Sequence, residues 1–447
     1  MKDLTQGSIS GHLAQMSTFI GAGMLVQTLY YLVDLYFVAG LGPKSLAGVS
    51  AAGNVMFIVL ALTQVLSVST VTLIAHAVGR KDPADANLIF NQALLIASIC
   101  AVLMLLGGYT IGAAYVHEIS ADPEAAAQGL IYLRWFIPGL ALQFAIVGMA
   151  SALRGTGIVK PAMTVQSITL MLNIILAPIL IAGWGTGHPL GVKGAALASS
   201  LSITVGVLLL IVYFARLEHY VHVKFELWRP NLSAWKRMFN LGLPAGGEFI
   251  IMFLVVGIVY WCIREFGAAA QAGFGIGSRV MQSIFLPAMA VAFAASPIAG
   301  QNFGARQAQR VRETFRTATI AIIIIMLIMS LLCQWKATAL VRAFTSDPQV
   351  IDVGAHYLKI ISWNFVGTGL IFTCSGLFQA IGNTWPALLS SAARIVTFCI
   401  PAVWLSMQPW VRLEHFWHLS VATIALQALF SLWLLHGQFR KRLAFAA

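Results

Sequence analysis

The chain has 447 residues, of which 59% are hydrophobic and 9% charged, with a formal net charge of +12. Soluble globular proteins carry about 25% charged residues, so a water-soluble enzyme or binding domain is excluded. The positive charge does not mark a nucleic-acid binder either, because it lies in short connections between long apolar runs.

The N-terminal Met1-Lys-Asp-Leu-Thr-Gln-Gly-Ser8 is polar and has no small-residue cleavage site ahead of a short apolar core. The first apolar run, Ser17 to Val38, is therefore expected to stay as a membrane span and not to be a cleaved signal. Asp34 is its only acid. At 3.6 residues per turn, Gln27, Tyr30, Tyr31 and Asp34 share one face of the helix. A carboxylate inside a span costs a few kcal/mol or more unless it faces protein or water, which makes Asp34 a candidate functional acid. Interfacial solvation is the plainer alternative, and the roughly 9 Å of helix between Asp34 and Gly40 weakens it.

Eleven further apolar blocks begin near Gly53, Leu88, Ala126, Pro161, Gly191, Asn240, Gly275, Phe315, Val353, Pro386 and His415. The expected fold is all-α and polytopic, with twelve transmembrane helices. With both termini on one side, that side collects 17 Lys and Arg and the other 6, which places both termini in the cytoplasm. Five cysteines, at 100, 262, 333, 374 and 399, lie in or beside apolar blocks with no CxxC pair, and read as packing residues. No metal site is expected.

An offset of 225 residues aligns the chain with itself. Gly42 meets Gly267, Gly79 meets Gly304, Tyr132-Leu133 meets Tyr357-Leu358, and Pro161-Ala162 meets Pro386-Ala387. Such a repeat predicts two six-helix bundles related by a pseudo-two-fold along the membrane normal. The expected division is an N-terminal lobe over 1–215, a cytoplasmic linker over 216–239 with five basic residues in its 216–237 stretch, and a C-terminal lobe over 240–447.

Span 5 carries a second polar stripe, Gln166, Thr169 and Asn173, at helical spacing. Span 6 opens with the small residues Gly194-Ala-Ala-Leu-Ala-Ser199-Ser200, which suit close helix packing. In the second half, Glu248 follows Gly242-Leu-Pro244-Ala-Gly-Gly near the start of span 7. It is either a second cavity acid or a carboxylate in interfacial water. Arg279 lies in the outer part of span 8, where it either snorkels to the interface or sets the charge of a cavity opposite Asp34. Arg394, in span 11, is an inner-end counterpart. A membrane-embedded enzyme would need a reactive constellation, and the sequence has no HExxH and no GxSxG.

Several segments also carry a family resemblance. They are Leu32-Val-Asp34, Leu153-Arg-Gly-Thr-Gly157-Ile-Val-Lys-Pro-Ala162, Gly194-Ala-Ala-Leu-Ala-Ser199, Gly242-Leu-Pro244, Gly300-Gln-Asn-Phe-Gly304-Ala and Phe378-Gln-Ala-Ile-Gly382-Asn-Thr384. In this order and spacing the chain resembles a multidrug and toxic compound extrusion (MATE) transporter over nearly its full length. The resemblance implies a two-lobed antiporter that expels cationic or amphipathic compounds in exchange for protons or sodium ions.

By the same resemblance, the span-1 acid is Asp34, the span-5 asparagine is Asn173 and the span-6 hydroxyl is Ser199, together forming the ion-coupling set. Ala177 stands where members often carry a second aspartate, and span 10 lacks an acid, a pattern closer to the DinF-like branch.

The expected protein is an inner-membrane exporter, monomeric and in contact with lipid, needing no cofactor beyond a coupling ion. That ion is expected to be a proton more than sodium, because a hard cation needs several oxygens and Ala177 supplies none. Gln27, Tyr30, Tyr31, Asp34, Gln166, Thr169, Glu248 and Arg279 are the expected substrate-cavity residues. The alternative transport reading is a flippase for lipids or lipid-linked sugars, which would need several basic residues for pyrophosphate.

Overall fold

The computed structural model describes residues 2–119 and 122–445, except for the side chains of Tyr31, Leu35 and Ile119. Among the described residues, twelve helices are long and apolar enough to cross a membrane. Spans 1 to 6 are Ile9–Ala39, Pro43–Gly79, Pro83–Glu118, Pro123–Gly155, Lys160–Ala182 and Val192–Arg216. Spans 7 to 12 are Leu232–Phe266, Ala268–Gly304, Ala308–Arg342, Pro348–Ala380, Trp385–Ser406 and Leu413–Arg442. The protein is an all-α polytopic membrane protein.

The repeat is visible in the backbone. Spans 2 to 5 begin at 43, 83, 123 and 160, and spans 8 to 11 at 268, 308, 348 and 385, each 225 residues later. Helix ends match as well. Asp122 caps span 4 by accepting from the Glu124 N–H, and Asp347 caps span 10 by accepting from Gln349, with a proline following each cap. Among the described residues, Lys81 and Arg306, also 225 apart, are the non-glycine residues with positive φ, both at 58°. Two residues beyond the ends of spans 4 and 10 stands a glycine in the left-handed region, Gly157 and Gly382. There the Ile158 and Asn383 N–H groups reach back to the Leu153 and Phe378 carbonyls.

Spans 2 and 8 begin about ten and seven residues before their apolar blocks. The stretch Pro43–Gly53 is helical but mixed in polarity, with Gly48, Val49 and Ala52 buried. It escapes a search for continuous hydrophobicity because only one face needs to be apolar. Gly48 lies so close to span 4 that a Cβ there would sit 2.3 Å from the Ala125 carbonyl oxygen. Such contact suits a membrane interior, where helices associate through close packing of small residues.

The chain divides into two compact units. The first holds residues 1–3 and 22–242, and the second 4–21 and 243–447. Within the first unit, Phe90 of span 3 stacks on Phe214 of span 6 at 4.7 Å. The connection after span 6 lies on the start of span 3. Asn87 donates to the Tyr220 carbonyl and accepts from the His222 N–H. Asn91 does the same for His222 and Lys224, and Gln92 for Leu227 and Asn231. These side-chain amides satisfy a backbone segment whose one helical piece is the short 3-10 turn Phe225–Trp228. Arg237, at the start of span 7, makes a two-point ion pair with Asp85, which Arg80 also contacts.

In the second unit, Phe274 of span 8 stacks on Trp417 of span 12 at 5.5 Å, and Tyr357 of span 10 packs edge-on against the same indole. The segment before span 1 is held here. Gln301 accepts from the Leu4 N–H, while Asn302 and Arg310 donate to the Leu4 carbonyl.

Candidate functional site

Span 1 carries Asp34 five residues before its end at Ala39. The Ser199 hydroxyl of span 6 donates to Asp34 Oδ1 at 3.3 Å, and the Tyr132 hydroxyl of span 4 also hydrogen-bonds the carboxylate. Asn173 of span 5 donates to Ser199 Oγ at 3.3 Å and to the Tyr30 hydroxyl at 3.4 Å. Asn173 and Ser199 are buried, and Asn173 Oδ1 is enclosed without a hydrogen-bond partner. Spans 1, 4, 5 and 6 of the first unit thus converge on one carboxylate.

Local sequence explains the convergence. Span 6 approaches the end of span 5 because position 194 is glycine; a Cβ there would sit 2.3 Å from the Leu180 carbonyl oxygen. Ser199 follows Gly194 by five residues, so the same close approach holds its hydroxyl against Asn173. Ala177, one turn past Asn173, is fully buried and offers only a methyl group.

Asp34, Asn173, Ser199 and Tyr30 therefore come together. Gln166 lies against span 1, where a Cβ on Gly23 would meet its Oε1 at 2.7 Å. The Thr169 hydroxyl donates to the Gln166 carbonyl of its own helix at 2.8 Å. Gln27 is exposed, apart from the carboxylate cluster. The Tyr31 side chain lies outside those described. Tyr132 was missed in the sequence reading, although its pairing with Tyr357 in the repeat was a signal.

In the second unit, Glu248 is half-buried and accepts from the Ser375 hydroxyl of span 10 at 2.9 Å and the Ser391 hydroxyl of span 11 at 3.4 Å. Hydroxyls from two spans hold the carboxylate, so water is not its sole partner. Gln379 donates to Ser375 in turn, at 3.5 Å. Glu248 and Ser391 lie 225 residues after Gly23 and Gln166, so span 7 carries an acid where span 1 has a glycine. Arg279 is exposed. Among the described residues, no group of three His, Cys, Asp or Glu side chains could hold a metal ion.

The MatE family pattern matches residues 20–179 and 244–405, which run from span 1 into span 5 and from span 7 into span 11. The chain belongs to the MatE family. It is 27% identical over 426 residues to a probable multidrug resistance protein NorM of Thermotoga maritima, covering 94% of this chain and 90% of that protein. It is 24% identical over 409 residues to a FAD transporter of Shewanella oneidensis, covering 90% and 89%. An outward-facing structure of a multidrug resistance MATE family transporter matches at a TM-score of 0.92 and 24% identity, covering 99% of each chain, which establishes the fold. MatE relatives thus differ in what their names say they carry, and substrate choice has to be argued from this chain's own residues.

Proposed function

We propose that this MatE protein is a secondary active antiporter that exports cationic or amphipathic small molecules in exchange for protons. One observation carries the proposal: Asp34, an acid in an otherwise apolar span, is held by Ser199 and Tyr132 with Asn173 behind them. A carboxylate that three other spans converge on can take a proton in one access state and a cationic substrate in the other. The multidrug names of relatives support the substrate class. In this reading Gln27, Tyr30, Tyr31, Gln166 and Thr169 are the substrate residues of the first unit, and Glu248 and Arg279 those of the second. The lipid-flippase alternative has less support, because Arg279 and Arg394 are its basic candidates and a pyrophosphate group would need several more.

Sodium is the second reading, and the enclosed, unpartnered Asn173 Oδ1 favours it, since it could serve a cation as a ligand. The proton reading is preferred because Ala177 supplies no oxygen and no second charge. The Lys and Arg bias supports an inner-membrane location with cytoplasmic termini.

The test uses the purified full chain in proteoliposomes loaded with labelled tetraphenylphosphonium, under an imposed proton or sodium gradient. Proton-driven transport is expected in the parent and absent in Asp34→Asn, with the variant inserted and eluting as the parent does. Transport driven by sodium at constant pH would overturn the choice of ion, and undiminished proton-driven transport in Asp34→Asn would overturn the role of the acid.

A further inference from the structure

Arg394 lies in the tenth position of span 11, far from either end of a 22-residue helix and not at the inner end that the sequence suggests. Its guanidinium has five N–H donors. One of them meets Ser420 Oγ of span 12 at 3.2 Å, while Nε is enclosed and unpartnered. The Phe398 ring lies 5.3 Å from Cζ. No carboxylate pairs with Arg394 among the described residues, although a charge withdrawn from water is costly without a counter-charge.

The surroundings look prepared for a counter-charge. Asn364, 6% exposed, lies against the same serine, with Nδ2 to Ser420 Oγ at 3.5 Å and Oδ1 unpartnered. Turning the amide over lets Ser420 donate to the amide oxygen and leaves an NH₂ free, so in that orientation the group offers a donor beside Arg394. Immediately after Arg394 the helix widens into a π-turn over Ile395–Cys399, a feature frequent at functional sites. Pro401 follows; it has no N–H to hold the normal register there.

The repeat sharpens the contrast. Arg394 and Tyr357 lie 225 residues after Thr169 and Tyr132, and Ser420 lies 221 after Ser199, the same interval that separates the starts of spans 6 and 12. In the first unit this tyrosine and serine hold the Asp34 carboxylate. In the second, the equivalent serine accepts from a guanidinium, whose charge also reaches the equivalent tyrosine.

We propose that Arg394, Asn364 and Ser420 form a site in the second unit for a monovalent anion, either chloride or the carboxylate of an organic ligand. The anion would be met by the Arg394 guanidinium, with the Asn364 amide turned toward it. This site is distinct from Asp34 and does not depend on the direction or coupling of transport.

The test is ligand-induced stabilisation of the detergent-purified full chain, read as the thermal unfolding midpoint. Sodium chloride or sodium benzoate replaces sodium gluconate at constant ionic strength. A saturable rise in the midpoint with chloride identifies a solution ion. A rise with benzoate alone identifies an organic carboxylate. Arg394→Gln should weaken the apparent affinity about ten-fold or more, Arg394→Lys less, and Asn364→Leu several-fold. Asn364→Leu removes a neutral side chain, so it reports on the site even if Arg394→Gln fails to fold. No rise with either anion would overturn the proposal. So would an undiminished rise in a folded Arg394→Gln or, if that variant does not fold, in Asn364→Leu.

Discussion

Gly194→Ala tests whether the small residues opening span 6 set the geometry around Asp34. The added methyl would start 2.3 Å from the Leu180 carbonyl oxygen and 2.8 Å from the Ile181 nitrogen, and both are backbone atoms that no rotamer change can move. Restoring an ordinary contact needs spans 5 and 6 to separate by about 1 Å, an overpacking strain that costs about 1–3 kcal/mol. Ser199 lies five residues on, about 7.5 Å along the helix, so it moves with Gly194. Its links to Asn173 and Asp34 are both 3.3 Å, and a separation of that size takes them beyond hydrogen-bond range. The expected result is a lower unfolding midpoint in detergent together with weakened proton-driven efflux. Gly257→Ala is the control, because nothing lies within 4 Å of a Cβ there. That variant should gain about 0.5–1 kcal/mol from helix preference and keep its transport. A Gly194→Ala protein as stable and as active as the parent would refute the reasoning.

Three further outcomes follow from the structure. Ala177→Asp places a second carboxylate one turn from Asn173, at a fully buried position, and should create or strengthen sodium dependence of efflux; transport that stays indifferent to sodium would count against the ion assignment. Asp85→Asn weakens the two-point pair to Arg237, both contacts at 2.8 Å, and the Arg80 contact at 2.6 Å. With both arginines partly exposed, the loss should be about 1–2 kcal/mol in a detergent unfolding measurement, smaller at high salt. Asn91→Leu leaves the His222 carbonyl and the Lys224 N–H without their partner, so amide exchange across 218–231 should speed up about ten-fold or more; unchanged exchange would mean that other contacts hold the linker.

The spans, the repeat and the polar faces were legible because a bilayer restricts the options so strongly. About twenty apolar residues in a row have few folded alternatives to a crossing helix, and Asp34 stood out as an isolated acid. The Asn173 and Ser199 assignments came through the family resemblance, and the structure brings Ser199 to Asp34 and Asn173 to Ser199. Tyr132 did not stand out, because a tyrosine in an apolar block looks like any packing or interfacial residue. The partners of Glu248 were hidden for a similar reason. Ser375 and Ser391 lie on separate spans, and only tertiary packing shows which serines point at an acid. The start of span 2 escaped because Pro43–Gly53 buries one face only.

The repeat retains backbone geometry more strictly than charge. Lys81 and Arg306 share a φ of 58°, and the glycine turns at 157 and 382 close with the same pair of backbone bonds. Yet Asp85 and Arg310, also equivalent, carry opposite charges. Asp85 holds Arg237 at the start of span 7, and Arg310 holds the Leu4 and Gly7 carbonyls before span 1. Asp34 and Arg394 extend that divergence into the membrane, each hydrogen-bonded to a serine from the corresponding span. Backbone bonds in a span must be satisfied internally, which leaves little freedom to alter them. A side chain lining a polar pocket has no such duty, so its sign can change while the helices around it stay in place. Two units built on one frame can therefore present opposite charges, an acid in the first and a guanidinium in the second.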